Sequence, residues 1–88
     1  MLVISFHPDA EKELLRIPKK VRLAVLEEID SLEKLTHPLQ HRHVKKLKDR
    51  DDRFRMKVRT YRVKMELRDG TFLKIYHVEH RQAGYRNF

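Results

Sequence analysis

The chain has 88 residues, enough for one small domain, and no cysteine, which excludes disulfides and thiolate metal sites. It carries 21 Lys+Arg against 13 Asp+Glu, a formal net charge of +8, and no run of about 18 apolar residues that could cross a bilayer. No basic segment leads into an apolar one near the start, so a cytosolic (cytoplasmic) protein is expected, with residues 1–88 forming one domain.

The first element is a short strand, in which Leu2, Ile4 and Phe6 alternate with Val3 and Ser5. Pro8 then suits a first helical turn and Asp9 complements its dipole, so a brief helix should run to about Arg16. Pro18 marks a break and a second start. From Lys19 to about Leu35, Val21, Ala24, Val25, Ile29, Leu32 and Leu35 keep helical spacing, while Glu27, Glu28, Asp30 and Glu33 form a polar side. The two segments make a helical hairpin with one face to bury.

Residues 36–52 read as a connection, after which the period changes to two. Phe54, Met56 and Val58 alternate with Arg53, Arg55, Lys57 and Arg59, and Tyr61, Val63, Met65 and Leu67 alternate with Arg62, Lys64, Glu66 and Arg68. A two-residue turn at Arg59-Thr60 places Val58 opposite Tyr61, Lys57 opposite Arg62, Arg55 opposite Lys64 and Arg53 opposite Glu66. Asp69-Gly70 is a type I′ hairpin signal, and Thr71 to about Glu79 forms the last strand. A two-residue turn there sets Arg62 opposite His77 and Tyr61 opposite Val78. The expected apolar face continues through Phe72, Tyr76 and Val78, with Lys74 interrupting it. The expected fold class is α+β: β-α-α-β-β-β, an antiparallel sheet with a helical hairpin packed on one face.

The charge is unevenly placed. Residues 1–40 hold six basic and seven acidic side chains, whereas residues 41–64 hold eleven and three, so the whole excess sits in one window of 24 residues. The opposite sheet face collects Arg53, Arg55, Lys57, Arg59, Arg62, Lys64, His77 and, by continued alternation, Arg81. Like charges directly opposed across strands cost a sheet a few tenths to ~1 kcal/mol per pair. Solvent screening offers one explanation for tolerating them; a bound polyanion explains why they share one parity. Lys45, Lys46 and Lys48 extend the same surface.

The element order, the Lys46-Leu47-Lys48 connection, the segment Phe54–Val63 and the ending His80-Arg81-Gln82-Ala83-Gly84-Tyr85 together resemble the RelE/ParE superfamily over nearly the whole chain. The resemblance implies a RelE-like microbial RNase architecture and a type II toxin–antitoxin toxin. The RelE-like branch cuts messenger RNA in the ribosomal A site, against 16S ribosomal RNA, without a metal or other cofactor. The implied partners are a cognate antitoxin, messenger RNA and the ribosome, with no membrane. The family's functional positions carry over to Arg55, Lys57, Arg62, Arg81 and Tyr85. Relatives often have Gly where this chain has Asp49, and Gly-Asp where it has Arg59-Thr60. The same fold also serves ParE-like gyrase inhibitors, and a non-catalytic RNA- or ribosome-binding module is a further alternative.

Cleavage of RNA by its own 2′-hydroxyl needs deprotonation of that group, stabilisation of the charge growing on phosphorus, and protonation of the leaving 5′-oxygen. Lys57, Arg62 and Arg81 suit the second task, the arginines through paired hydrogen bonds and the lysine as a point charge. Tyr85, His80, His77 and Lys57 are the proton-transfer candidates; Tyr85 could instead stack on a base, and His80 could serve a helix terminus or a hydrogen bond. Arg53, Arg55, Arg59, Lys64, Lys45, Lys46, Lys48 and His77 are expected to bind the RNA backbone. His37, His41 and His43 invite a zinc reading, but no thiol or carboxylate joins them and Arg42, Lys45 and Lys46 would repel a cation.

Overall fold

The computed structural model describes residues 1–48 and 50–82. The elements are β1 (Val3–Phe6), α1 (Pro8–Arg16), α2 (Lys19–Ser31), two single 3-10 turns (Leu32–Lys34 and Pro38–Gln40), β2 (Val44–Lys46), β3 (Arg53–Val58), β4 (Tyr61–Arg68) and β5 (Phe72–His80). The strands form one sheet in the order β1-β5-β4-β3-β2. Strand β1 runs parallel to β5 and the other neighbours are antiparallel.

The helical hairpin forms as its sequence signals indicate. The His7 Nδ1 accepts the Asp9 N–H at 3.0 Å, satisfying one of the orphan donors at the start of α1, and Pro8 fills a first-turn position. At the other end, the Arg22 guanidinium donates to the carbonyls of Leu15 and Ile17 at 3.2 and 3.0 Å. That contact caps α1 and ties it to α2, the charge favouring the negative end of the helix dipole. Ala10, Val25, Ile29 and Leu32 are fully buried against Met56, Val63, Met65, Leu73 and Ile75. One side of the sheet is therefore covered by helix, and the other is left to the charged side chains.

The β3–β4 register agrees with the expectation at every pair named above, including Lys57 with Arg62 and Arg55 with Lys64. Two features differ. A fifth strand, β2, lies within the expected connection, with Val44 beside Met56 and Lys45 beside Arg55. Its single buried side chain gives too little alternation to read as a strand.

The β4–β5 register is also displaced. Asp69 and Gly70 both take positive φ, 53° and 67°, as a type I′ turn requires, and the Thr71 N–H donates to the Arg68 carbonyl at 3.1 Å. Ladder pairing nevertheless resumes with Arg68 opposite Phe72, one residue beyond a two-residue loop. A β-bulge then inserts Tyr76, because Met65 pairs with Ile75 while Lys64 pairs with His77. Arg62 consequently faces Glu79, not His77, and Tyr61 faces His80, not Val78.

The same displacement corrects the apolar face. Leu73 and Ile75 are fully buried, whereas Phe72 is 51% exposed and Tyr76 is half-buried. Lys74 does not interrupt the core stripe; it lies on the other side. The extra residue restores inward parity for Val78, which is buried. Beyond the end of β1, α1 completes the edge of β5: the Val78 N–H donates to the Glu13 carboxylate at 3.1 Å.

Candidate nucleic-acid interface

Strand parity carries Arg53, Arg55, Lys57, Arg62 and Lys64 to the face opposite the buried Phe54, Met56, Val58, Val63 and Met65. Their charges are not equally available. Arg53 Nε lies 3.3 Å from the buried Glu66 carboxylate, whose other oxygen takes Arg68 Nε at 2.7 Å. Lys64 Nζ lies 2.7 Å from the buried Glu79. Burial pushes the Glu66 carboxyl up, but the hydrogen bonds from Arg68 and Arg53 outweigh it and hold it below its ordinary range. Arg53 and Lys64 are thus locked into the sheet surface by carboxylates.

The remaining cations gather where β3 turns into β4. A shallow concavity of about 390 Å³ opens there, bounded by Arg42, His43 and Lys45, by the strand pair from Arg55 to Arg62, and by Arg81. Three backbone contacts assemble these walls. The Lys57 N–H donates to the His43 carbonyl at 3.1 Å, Lys45 pairs with Arg55 in the ladder, and the Arg81 N–H donates to the Thr60 carbonyl at 2.8 Å. Seven Lys and Arg side chains line the concavity with no Asp or Glu among the lining residues. None of the seven makes an ion pair among the described residues. Like charges held this close leave an unsatisfied positive potential that a polyanion relieves.

Arg59 occupies the turn with φ 54°, in the left-handed region that favours glycine. A two-residue hairpin turn calls for that conformation at its first position, where a side chain other than that of glycine costs about 1–2 kcal/mol. Arg59 also lines the concavity.

The other expected site residues fall elsewhere. His80 packs its ring edge-on against Tyr61, with centroids 5.3 Å apart, and its Nδ1 accepts the Gln82 N–H at 3.1 Å. It has the parity of Tyr61 and Val63, on the helix-covered side, and is not among the residues lining the concavity. His77 is mostly buried, with Nδ1 3.2 Å from Glu13 of α1. Lys46 belongs to the opposite side of β2 from Lys45 and bonds Asp51 at 3.0 Å. Lys48 is exposed on the loop after β2. Tyr85 lies outside the described residues. The concavity therefore joins Lys45, Arg55, Lys57, Arg59, Arg62 and Arg81, and excludes Arg53, Lys46, Lys48, Lys64, His77 and His80.

Sequence reasoning did not single out Arg42, Thr60 or Tyr61 as site residues, and read His43 only as a metal candidate. Arg42 lies in the basic window, and that enrichment was the available signal. The histidines have separate structural uses: His37 Nδ1 accepts the Leu39 N–H at 3.1 Å, and His41 Nε2 lies 2.9 Å from Glu28.

Residues 4–85 match a family described as the ParE toxin of type II toxin-antitoxin system, parDE. No curated protein sequence matches the chain. Among solved structures, the archaeal RelE–RelB complex from Pyrococcus horikoshii OT3 is similar at 25% identity, with TM-score 0.76 and coverage of 94% of this chain and 98% of that one. The toxin–antitoxin complex RelBE2 from Mycobacterium tuberculosis is similar at 26% identity, TM-score 0.72, covering 91% and 98%. The intact Escherichia coli RelBE complex shares the fold at 18% identity, TM-score 0.75, covering 98% and 100%.

Proposed function

This chain belongs to the ParE toxin family of type II toxin–antitoxin systems, within the RelE/ParE superfamily, and from that premise we propose that it is an endoribonuclease cutting messenger RNA, with the ribosome as the place of cutting. The observation that carries the proposal is the acid-free concavity at the β3–β4 turn, where seven Lys and Arg side chains converge.

In the proposed reaction the 2′-oxygen of one nucleotide bonds to the adjacent phosphorus while the bond from phosphorus to the 5′-oxygen breaks. The 2′-proton passes to a base, for which Tyr85 as its phenolate is proposed by family likeness, and a proton is delivered to the leaving oxygen, giving a 2′,3′-cyclic phosphate and a 5′-hydroxyl. Arg62 and Arg81 hold the non-bridging oxygens through paired hydrogen bonds, where negative charge grows in the transition state. Lys57, directly opposite Arg62, adds a third positive charge and has an ammonium proton to give to the 5′-oxygen. Tyr85 remains the proposed proton-transfer or base-stacking partner by family likeness. A cognate antitoxin is the proposed protein partner, since the similar structures are toxin–antitoxin complexes.

The match to the ParE family favours a second reading, inhibition of DNA gyrase. One experiment separates the two. Purified toxin is added to translating ribosomes carrying a defined message and, in parallel, to a gyrase supercoiling assay. Cut message, with cutting reduced at least about 100-fold by Arg62→Ala or Arg81→Ala, supports the nuclease. Intact message with blocked supercoiling replaces it with the second reading. Salt-sensitive ribosome binding with neither effect identifies a non-catalytic binding module.

A further inference from the structure

A second groove, of about 450 Å³, opens around the rim of the basic concavity and shares His43, Lys57 and Arg59 with it. Its far wall is α2, which contributes Ala24, Glu27 and Glu28. The two carboxylates are not equivalent. Glu28 Oε2 is held by His41 Nε2 at 2.9 Å, whereas Glu27 is exposed and makes no hydrogen bond or ion pair among the described residues. Ala24 and Val58 supply apolar lining between the polar groups.

This mixture suits neither a phosphate, which Glu27 and Glu28 repel, nor a purely apolar ligand. It suits a nucleobase whose phosphate stays on the cations next door. We infer that the groove is a base-reading subsite for guanine, resting on the RNA-cleaving reading of the neighbouring concavity. A carboxylate offers two acceptors and no donor. On the Watson–Crick edge only guanine presents two adjacent donors, N1–H and the N2 amino group. Adenine and cytosine each set an acceptor beside their amino donor, and uracil flanks its single N–H with carbonyls. Glu27 receives both guanine donors in parallel, as acidic side chains accept base amino groups elsewhere. The His43 ring and the apolar lining take the flat faces, the usual means of holding an unpaired RNA base. Lys57 and Arg59, belonging to both depressions, hold the phosphate that links this base to the next nucleotide.

The test uses the full chain and short single-stranded RNAs whose 2′-hydroxyls are methylated, so that binding is read without cutting. Four oligonucleotides differ only in one central base, set in a uridine background, and affinity is followed by fluorescence anisotropy. The expected result is a preference of about tenfold for the guanine oligonucleotide over the others. Glu27→Gln, an exposed change that keeps the fold, replaces one acceptor with a donor; it abolishes that preference and moves it toward adenine or cytosine. Equal affinity for the four bases, or a guanine preference unchanged in Glu27→Gln, overturns the base-reading subsite and leaves the nuclease reading standing. Absence of RNA binding by the unaltered protein, at low salt and on ribosomes alike, overturns both.

Discussion

Lys64 and Glu79 meet at 2.7 Å with only 13% and 4% of their side chains exposed, on the face of the sheet that carries the basic residues. Removing one member of such a pair leaves the other charged and largely out of water, a change that costs about 3–5 kcal/mol. Lys64→Met or Glu79→Leu alone should lower the chemical-denaturation midpoint sharply. The double variant should recover most of the loss, because both charges then disappear together. Equal destabilisation in single and double variants would show that the pair contributes through something other than mutual charge.

Arg59 separates stability from binding. Arg59→Gly removes the left-handed strain and should raise stability by about 1 kcal/mol. It should also weaken RNA binding and reduce the slope of log affinity against log salt by about one, the signature of a lost phosphate contact. Thermal unfolding and anisotropy titrations over a salt series measure the two effects. A variant that gains stability and binds as before would leave the strained arginine without a function.

Acid sensitivity should report on Glu66. Its carboxyl lies below the ordinary value of 4.5 because Arg68 and Arg53 donate to it more strongly than burial opposes it. A group depressed in the folded state contributes stability that is complete above its unfolded value and disappears as pH falls through its folded value. Unfolding free energy should therefore decline as pH is lowered from about 4.5. In Glu66→Gln that part of the decline should be missing, against a lower plateau near neutrality. Parallel pH profiles for the two proteins would refute the assignment.

His80 is expected to act through Arg81. Its Nδ1 accepts the Gln82 N–H at 3.1 Å, its ring abuts Tyr61, and the intervening Arg81 is anchored by its own N–H to Thr60 at 2.8 Å. His80→Ala should reduce RNA affinity several-fold while the fold persists. In an Arg81→Ala background it should do almost nothing further, since positioning a missing guanidinium has no value. Full additivity of the two losses would mean that His80 makes a contact of its own.

The readable parts of this structure share a physical basis. The two-residue turn at Arg59-Thr60 sets every partner in the β3–β4 ladder, so local pattern was sufficient for Lys57 to be placed opposite Arg62. The β4–β5 ladder follows a loop one residue longer than a two-residue turn and contains the Tyr76 bulge. Neither shift has a signature in strict alternation. Placing Arg62 beside Glu79 depends on both displacements, and the ion pair with Lys64 belongs to the same arrangement. The basic face was thus visible as a parity, but not the division between cations tied to carboxylates and those left for a ligand. The strand β2 adds a separate case, because Val44 buries one side chain and Lys45 and Lys46 point to water or salt bridges. Arg42 and His43 join the concavity through that strand, and tertiary pairing alone brings them there.

The parallel pairing of β1 with β5 has a consequence for biosynthesis. Val3 to Phe6 align with Phe72 to Ile75, so β1, made first of the five described strands, has no seat until β5 has emerged from the ribosome. Pairing across such a separation must pay loop closure before it returns any contact. Until β5 is available Ile4 and Phe6 lack their neighbours in the sheet, so this parallel edge closes late in folding.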